Sequence, residues 1–261
     1  SDVCSSDLLM TKSGRRIGKL PAVNMQFKDA LNAASEGRFD IYKADASQTV
    51  WNKTVDFKLV WAKEWNAVYE LTLEKKEERG ALRKPCTMTS LGEAELSQIM
   101  LFGIEINTED DIARDDYEPT VLFDELNPNA SLLNRILNKA PHYSIVHVDS
   151  TIARIQRTFS WDGTSIYDAL MEVGQEIDCL FVFKCYFDNS WNLKREIYVY
   201  DLESNCSDCG YRGEFIGACP KCGSTNVSHG YGDDTTIFIS SENLADDITL
   251  TSNTEIGRAH V

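Results

Sequence analysis

Apolar and polar residues alternate with a period of two along much of the first hundred residues, a pattern typical of half-buried β-strands. The alternating apolar positions are Val23, Met25 and Phe27, then Phe39 and Ile41, then Phe57, Leu59 and Trp61, and finally Tyr69, Leu71 and Leu73. Turn-forming residues interrupt the alternation at 35–37, 45–47 and 79–80. The pattern therefore predicts a β-rich meander or small barrel, which we place at residues 9–110.

The period changes to that of an amphipathic helix after residue 130. Ser131 is a candidate N-cap, and Pro141 stops the first helical run. The apolar positions of the two predicted helices are Leu132, Leu133, Ile136, Leu137 and Ala140 in the first, and Ile166, Leu170, Val173 and Ile177 in the second. Each helix leads into a predicted strand, at 143–148 and at 180–183, and the latter is expected to pair with 196–200. We interpret residues 111–202 as a small α/β domain.

Between these two regions lies an acidic stretch that allows two interpretations. Carboxylates at 109–111 and 115–116 could supply oxygen ligands to a hard cation, but their order is not that of a calcium-binding loop. A solvated linker is the interpretation we favour.

Four cysteines in two C-x-x-C pairs form the strongest motif. The pairs are Cys206 with Cys209 and Cys219 with Cys222, and a glycine follows each pair directly. A C-x-x-C turn places two thiolates on one side of a tight loop, and two such loops supply the four tetrahedral ligands of a structural zinc site. The sequence therefore predicts a zinc ribbon at residues 203–231. Two disulfides or unligated thiols are the alternatives.

A structural rather than a catalytic zinc is expected, because four sulfur ligands leave no position for water or substrate. Some thirty residues cannot bury enough apolar surface to fold alone, so the metal would replace a core. Cys86, Cys179 and Cys185 have apolar, strand-like neighbours and are expected to be buried thiols. Zinc-binding thiols also point to assembly in a reducing compartment.

The composition of the chain argues against nucleic-acid binding and against a membrane-spanning segment. The 261 residues carry a formal net charge of −15, with Lys and Arg scattered along the chain, which disfavours binding to nucleic-acid phosphates. The hydrophobic fraction of 43% is enough for a sizeable core. The longest apolar run, Cys179–Phe183, is far too short to cross a bilayer, so we expect no membrane span.

The two ends of the chain read as translated sequencing adapters. Residues 1–8 match the translation of one adapter, and residues 255–261 match that of its companion. We therefore expect neither segment to be native and exclude both from the fold. Residues 232–254 would then begin a further β region.

Motifs of known catalytic sites are absent from the sequence. There is no nucleophile elbow, zinc-protease helix, phosphate-binding loop or dinucleotide fingerprint. His142 and His147 are five residues apart, which on a strand places them on opposite faces and makes them poor joint ligands. Either could act as a base beside a carboxylate, but a structural role is favoured. We predict no catalytic residue, and hence no enzymatic activity in this chain.

Several stretches of the sequence resemble the N-terminal part of phage minor tail proteins, of the tail-associated, endopeptidase type found in siphophages and prophages of Gram-positive hosts. The stretches that carry this resemblance are Ser90–Gln98, Ile104–Tyr117, Ser131–Leu137, Ala140–Tyr143, Ile155–Ser160 and Gly230–Ile239.

The resemblance implies a trimeric baseplate hub at the tail tip. It implies an α+β fold in which a β-rich tube-type domain is followed by a small α/β domain, with the zinc ribbon as an insertion. Expected partners are two further copies of the chain, the distal tail protein and the tape measure protein. Such a protein would be assembled in the host bacterial cytoplasm and would act in the virion tail tip during assembly, host attachment or DNA delivery.

Two other functions stay open. One is a zinc-ribbon nucleic-acid-binding protein, although Arg212 and Lys221 are the only fixed cations between Asn205 and Gly232. The other is the N-terminal part of a tail-associated cell-wall hydrolase whose catalytic domain is missing, which leaves the activity of a full-length protein undecided.

Overall fold

A computed structural model describes residues 7–28, 36–63, 66–74, 82–213 and 218–228. The described residues divide into two compact units, one from those within 7–94 and 184–195 and the other from those within 95–183 and 196–228. Both units combine helices and strands, which confirms the predicted α+β, strand-rich fold class. No helix in the described ranges is long and apolar enough to cross a membrane.

The first unit is built on a seven-stranded sheet with the order β2-β1-β5-β6-β7-β4-β3, in which all neighbouring strands are antiparallel. Its elements are β1 (Leu8–Met10), β2 (Arg16–Lys19), β3 (Ala22–Lys28), β4 (Glu36–Tyr42), α1 (Gln48–Lys53), β5 (Lys58–Ala62), β6 (Ala67–Leu73) and β7 (Arg83–Ser90). Three of these strands, β5 to β7, follow one another as a meander. Strand β1 instead pairs with β5, and β4 pairs with β7. The sheet therefore depends on pairings between strands that are distant in sequence.

One face of this sheet packs on helix α1, which alternation in the sequence did not predict. Ser47 caps the helix by accepting a hydrogen bond from the Val50 N–H. The core on this face consists of Leu9, Leu20, Ala22, Phe39, Ile41, Val50, Trp51, Val60, Leu71, Cys86 and Met88. The buried Lys84 ammonium donates to the backbone carbonyls of Trp51 and Thr54, 2.8 and 3.0 Å away, and so ties the end of α1 to β7.

The second unit contains the predicted helices and a three-stranded sheet of order β10-β14-β13. Its elements continue with α2 (Leu91–Leu96), which spans the unit boundary, β8 (Met100–Leu101), β9 (Ile104–Ile106), α3 (Glu109–Ile112), a 3-10 turn (Pro128–Ala130), α4 (Leu132–Leu137), β10 (Ser144–Val148), α5 (Ser150–Ala153), β11 (Phe159–Trp161), β12 (Thr164–Ser165), α6 (Ile166–Ile177), β13 (Cys179–Phe187), β14 (Leu193–Asp201), β15 (Ser204–Cys206), β16 (Arg212–Gly213) and β17 (Val227–Ser228).

Helices α4 and α6 form as their apolar spacing predicts. Ser131 and Ser165 are their N-caps, and each serine oxygen accepts the N–H of the residue three positions later. The predicted apolar positions of both helices are buried. Strand β14 pairs in parallel with β10. A parallel pair needs a crossover connection, and helix α6 lies in the connection between these two strands.

The acidic stretch is structured rather than a plain linker at its start. Thr108 and Asp111 form a reciprocal capping box at the N-terminus of α3, with the carboxylate of Asp111 accepting from the Thr108 N–H. Negative charge in the first turn of a helix is favourable because of the helix dipole. This capping accounts for Asp111 without a cation.

Asn107 joins three segments of the second unit. Its side-chain amide donates to the carbonyls of Thr120 and Arg157, at 2.7 and 3.1 Å. Its side-chain oxygen accepts the N–H of Thr120 and the hydroxyl of Tyr117, both at 2.9 Å. The residue is buried and has a φ of 52°, in the left-handed region that asparagine tolerates better than most residues.

The domain boundaries after residues 110, 202 and 231 stay predictions, as does the adapter origin of the two ends. Residues 1–6 and 255–261 lie outside the described residues, whereas Leu8 begins strand β1. The further β region proposed for 232–254 also lies outside the described residues.

Replacing Asn107 tests whether its side chain holds the second unit together. Asn107→Gly keeps a backbone that accepts positive φ but removes all four side-chain hydrogen bonds, so we expect a loss of about 2–4 kcal/mol in the free energy of unfolding. Urea unfolding followed by circular dichroism measures it. The control is Asn24→Gly, since Asn24 also has positive φ but is exposed. Equal, small losses for both variants would contradict this role.

Candidate metal centre

All four predicted cysteines meet at one point of the second unit. Their sulfur atoms lie within 4.8 Å of one another. Sγ of Cys206 is 3.5 Å from Sγ of Cys222, and Sγ of Cys209 is 3.6 Å from Sγ of Cys219. The contacts thus connect the first C-x-x-C pair with the second.

The two C-x-x-C loops share one backbone arrangement. In the first, the N–H of Gly210 donates to the carbonyl of Cys206, and in the second the N–H of Gly223 donates to that of Cys219, both at 2.8 Å. Each leading cysteine also donates its own N–H to the carbonyl five residues later. Gly210 and Gly223 have φ values of 66° and 75°, as their position after each pair predicts. Two equivalent loops therefore present their sulfurs to a common centre.

This geometry suits one tetrahedral metal ion. Zinc–sulfur bonds of about 2.3 Å place tetrahedral sulfurs about 3.8 Å apart, close to the two short separations in the cluster. A disulfide requires about 2.05 Å, and no described cysteine forms one. Four thiolates with tetrahedral geometry suit zinc or iron, and with all positions filled by sulfur the ion has no site for substrate.

Local hydrogen bonds change how readily the thiols ionise. Burial raises the pKa of Cys219, but backbone N–H groups of Cys222 and Lys221, together with hydrogen bonds from the thiols of Cys209 and Cys222, more than offset this and the pKa falls to about 7. The N–H of Ser224 favours the Cys222 thiolate, yet the neighbouring sulfurs of Cys209 and Cys206 outweigh it and raise the pKa of Cys222 to about 12. Crowding of several sulfurs thus opposes full ionisation, which a cation at their centre would relieve.

A polar network links the two loops outside the sulfur cluster. The carboxylate of Asp208 accepts hydrogen bonds from the hydroxyl of Ser224 and from the side-chain amide of Asn226. The Ser224 hydroxyl, followed by that amide, lowers the pKa of Asp208. Asn226 also accepts the N–H of Ser207 through its backbone carbonyl. The network therefore holds the first C-x-x-C loop against the segment that follows the second loop. That segment leads into strand β17, which pairs with β15.

Arg212 is the structurally important ribbon residue that the sequence did not reveal. The sequence identifies it only as one of two ribbon cations, but its guanidinium binds the buried carboxylate of Asp201 at the end of β14. A single arginine among charged neighbours carries no spacing signal, so only the fold identifies its partner. Burial lowers the pKa of Arg212, but Asp201 outweighs this and the net shift is upward.

The two histidines pair with different carboxylates. Nε2 of His142 is 3.6 Å from Glu95, and Nε2 of His147 is 2.7 Å from Asp149. His142 precedes strand β10, so strand alternation applies to His147 alone. Within the described ranges, the four ribbon cysteines form the one group of three or more residues placed to share a metal ion.

No protein-family model and no curated protein matches this sequence. Among solved structures, the prophage tail protein gp18 of Listeria monocytogenes EGD-e is similar with 8% identity over 73% of this chain and 50% of its own, at a TM-score of 0.41. The c3393 protein of E. coli, a component of the type VI secretion system described as structurally similar to the T4 tail proteins gp27 and gp5, has 8% identity over 67% and 47%, with a TM-score of 0.32.

A third structure, a PdpA–VgrG complex, has 11% identity over 74% of this chain and 34% of its own, with a TM-score of 0.35. This chain therefore spans half or less of each of the three chains.

Thiol alkylation tests whether Cys86 and Cys179 are buried. Burial raises the pKa of Cys86 and of Cys179 to about 12, so about one thiol in 10,000 is ionised at pH 8, and both side chains are inaccessible. We expect iodoacetamide at pH 8 to spare both in the native protein and to label both in urea, as read by peptide mass spectrometry. Rapid labelling of either thiol in the native protein would contradict this burial.

Proposed function

We propose that this chain is a structural component of a phage tail tip, part of a baseplate hub that acts through contacts between subunits. The observation that carries the proposal is the match between the sequence resemblance and the folded chain. The resemblance implies a β-rich domain followed by an α/β domain with a metal-binding insertion. The chain has a seven-stranded antiparallel sheet, then a three-stranded sheet in which β10 and β14 pair in parallel, with α6, and then the tetracysteine ribbon.

Within this proposal the ribbon holds one structural zinc through Cys206, Cys209, Cys219 and Cys222. Support comes from the convergence of their sulfurs and from the two equivalent loops. The described ribbon strands are only two or three residues long, which is too little secondary structure to hold these loops without a cross-link. Zinc offers roughly 10–16 kcal/mol of apparent binding free energy to such peptides.

Nucleic-acid binding is the weaker candidate for the ribbon. Of its two fixed cations, Arg212 is engaged by Asp201 and Glu203, with its guanidinium 2.8 and 2.6 Å from their carboxylates. Lys221 alone is left to meet a phosphate, whereas non-specific binding grows with the number of phosphates that a protein neutralises. We therefore propose no sequence-specific nucleic-acid partner.

A cell-wall hydrolase is the other alternative, and it concerns a longer protein. The two histidine–carboxylate pairs are the described groups nearest to acid–base chemistry, and each is accounted for as a local polar contact. The absence of hydrolysis by this chain stays a prediction. Any activity of a longer protein would belong to a separate domain.

The subunit arrangement that we propose is a homotrimer, with the distal tail protein and the tape measure protein as neighbours in the virion tail tip and with assembly in the host bacterial cytoplasm. Within the described residues, β2 and β3 are the edge strands of the seven-stranded sheet. Edge strands carry backbone groups that a neighbouring chain can satisfy. Such edges support association through the β-rich region.

Metal content tests the zinc site. Protein purified under reducing conditions should contain one zinc per chain, and Cys219→Ser should bind it far more weakly because only three thiolates are left. Chelation should unfold residues 203–231 while α4 and the middle of α6 keep their protection, since their apolar faces are buried independently of the ribbon.

Mass spectrometry under native conditions and hydrogen exchange measure both effects. Cys185→Ser is the matched control, since Cys185 is buried outside the cluster. A metal-free native protein, or one cooperative transition of the whole chain on chelation, would show that the zinc assignment or the ribbon's independence is wrong.

Subunit number tests the hub proposal. Sedimentation velocity on the protein made from its uninterrupted natural reading frame should show three subunits, because a hub forms a closed ring around the tail axis. Salt-dependent DNA binding by the same material would instead favour the nucleic-acid alternative. A monomer that persists at micromolar concentrations would contradict the hub.

A further inference from the structure

Arg212 reaches from the ribbon onto the end of strand β14. Its Nε lies 3.1 and 3.0 Å from the two carboxylate oxygens of Asp201, and one terminal nitrogen lies 2.8 Å from Oδ1 of the same group. Its other terminal nitrogen is 2.6 Å from the carboxylate of Glu203. The planar guanidinium thus fits two acidic groups at once, which a lysine could not do in the same way.

Asp201 depends on this contact because its side chain is only 5% exposed. The hydroxyl of Thr151 donates to it at 2.7 Å, and the N–H of Glu203 donates at 3.0 Å. These neutral donors orient the carboxylate but do not balance its charge. Removing one partner of a buried ion pair is costly because the remaining charge is left uncompensated.

The same guanidinium also closes the end of helix α6. The terminal nitrogen that binds Asp201 also donates to the carbonyl of Ile177, 2.8 Å away. Ile177 is the last residue of the helix. The chain then turns at Asp178, whose φ is 56°, and the Asp178 carbonyl accepts the N–H of Leu202 at 3.0 Å. The end of α6 and the end of β14 therefore meet at Arg212.

The position of Arg212 depends in turn on the sulfur cluster. The residue before it, Tyr211, accepts the N–H of Cys206 at 2.8 Å, and Arg212 itself pairs with Asn205 between strands β15 and β16. Both contacts lie directly beside a predicted metal ligand. Loss of the ion would release the strand that carries the guanidinium.

We propose that the tetracysteine centre works through Arg212 as a metal-dependent clamp on the junction between α6 and β14, so that metal occupancy stabilises a part of the α/β unit that contains no ligand. This inference rests on the zinc site proposed above. It assigns Arg212 a positioning role and predicts that the effect of metal removal extends to residues 177–178 and 201–202, but not to the middle of α6.

Hydrogen exchange on the full 261-residue chain tests the clamp through the amides of Asp178 and Leu202, which are bonded to Gly174 and Asp178. In the wild type, chelation should speed exchange at both amides about tenfold or more. Zinc-loaded Arg212→Gln should show the same acceleration while still binding one zinc. Chelating that variant should then add less than about twofold, because metal and arginine act through one contact.

Two further variants make the result specific. Lys221→Gln removes the other ribbon cation, whose side chain is exposed, and should leave both amides unchanged. Asp201→Asn removes the carboxylate that Arg212 binds and should speed exchange at both amides as Arg212→Gln does. The amide of Leu170, within α6, should not respond to chelation in any variant.

The outcomes separate the two proposals. If the protein binds one zinc but chelation leaves the Asp178 and Leu202 amides unchanged, the clamp is overturned and the zinc site stands. If the effects of chelation and of Arg212→Gln simply add, they act independently and the clamp is likewise overturned. If metal analysis finds no bound zinc, the zinc site itself fails and the clamp fails with it.

Discussion

Convergence of four sulfurs on one centre is the constraint on which the ribbon depends. Cys209 and Cys219, the facing ends of the two C-x-x-C loops, are ten positions apart in sequence, and the described strands around the loops are only two or three residues long. Such strands fix little backbone by themselves, so the loops need a cross-link to keep their mutual position. In the account proposed above, a metal ion supplies that cross-link and, with it, the position of Arg212. The ribbon is then both a folding unit and an anchor.

The first unit achieves stability by different means. Its seven-stranded sheet joins strands that are far apart in sequence, as when β1 pairs with β5 and β4 with β7. Pairings of this kind pay a loop-closure cost before they gain contacts, so the buried residues on α1 and the sheet have to offset it. Lys84 adds a polar link between β7 and the end of α1. The core of the β-rich unit is thus made of buried side chains from α1 and the sheet, none of which belongs to the tetracysteine cluster.

The sequence predicted the parts of this protein that have a local signature. Helices α4 and α6 follow from their apolar spacing and serine caps, and the convergence of the four cysteines follows from C-x-x-C spacing and its glycines. Strand order could not be predicted, because alternation identifies strands but not their partners. Asn107 and Arg212 were missed for a related reason. Each matters through partners 9 to 50 residues away, and nothing in the local sequence marks them.

Zinc K-edge X-ray absorption spectroscopy on the reductively purified chain tests the central claim most directly, because it reports the identity and distance of the atoms bound to the metal. The account predicts four sulfur atoms at about 2.3 Å and no nitrogen or oxygen ligand. A first coordination shell containing histidine nitrogen, carboxylate oxygen or water would contradict a closed tetracysteine centre.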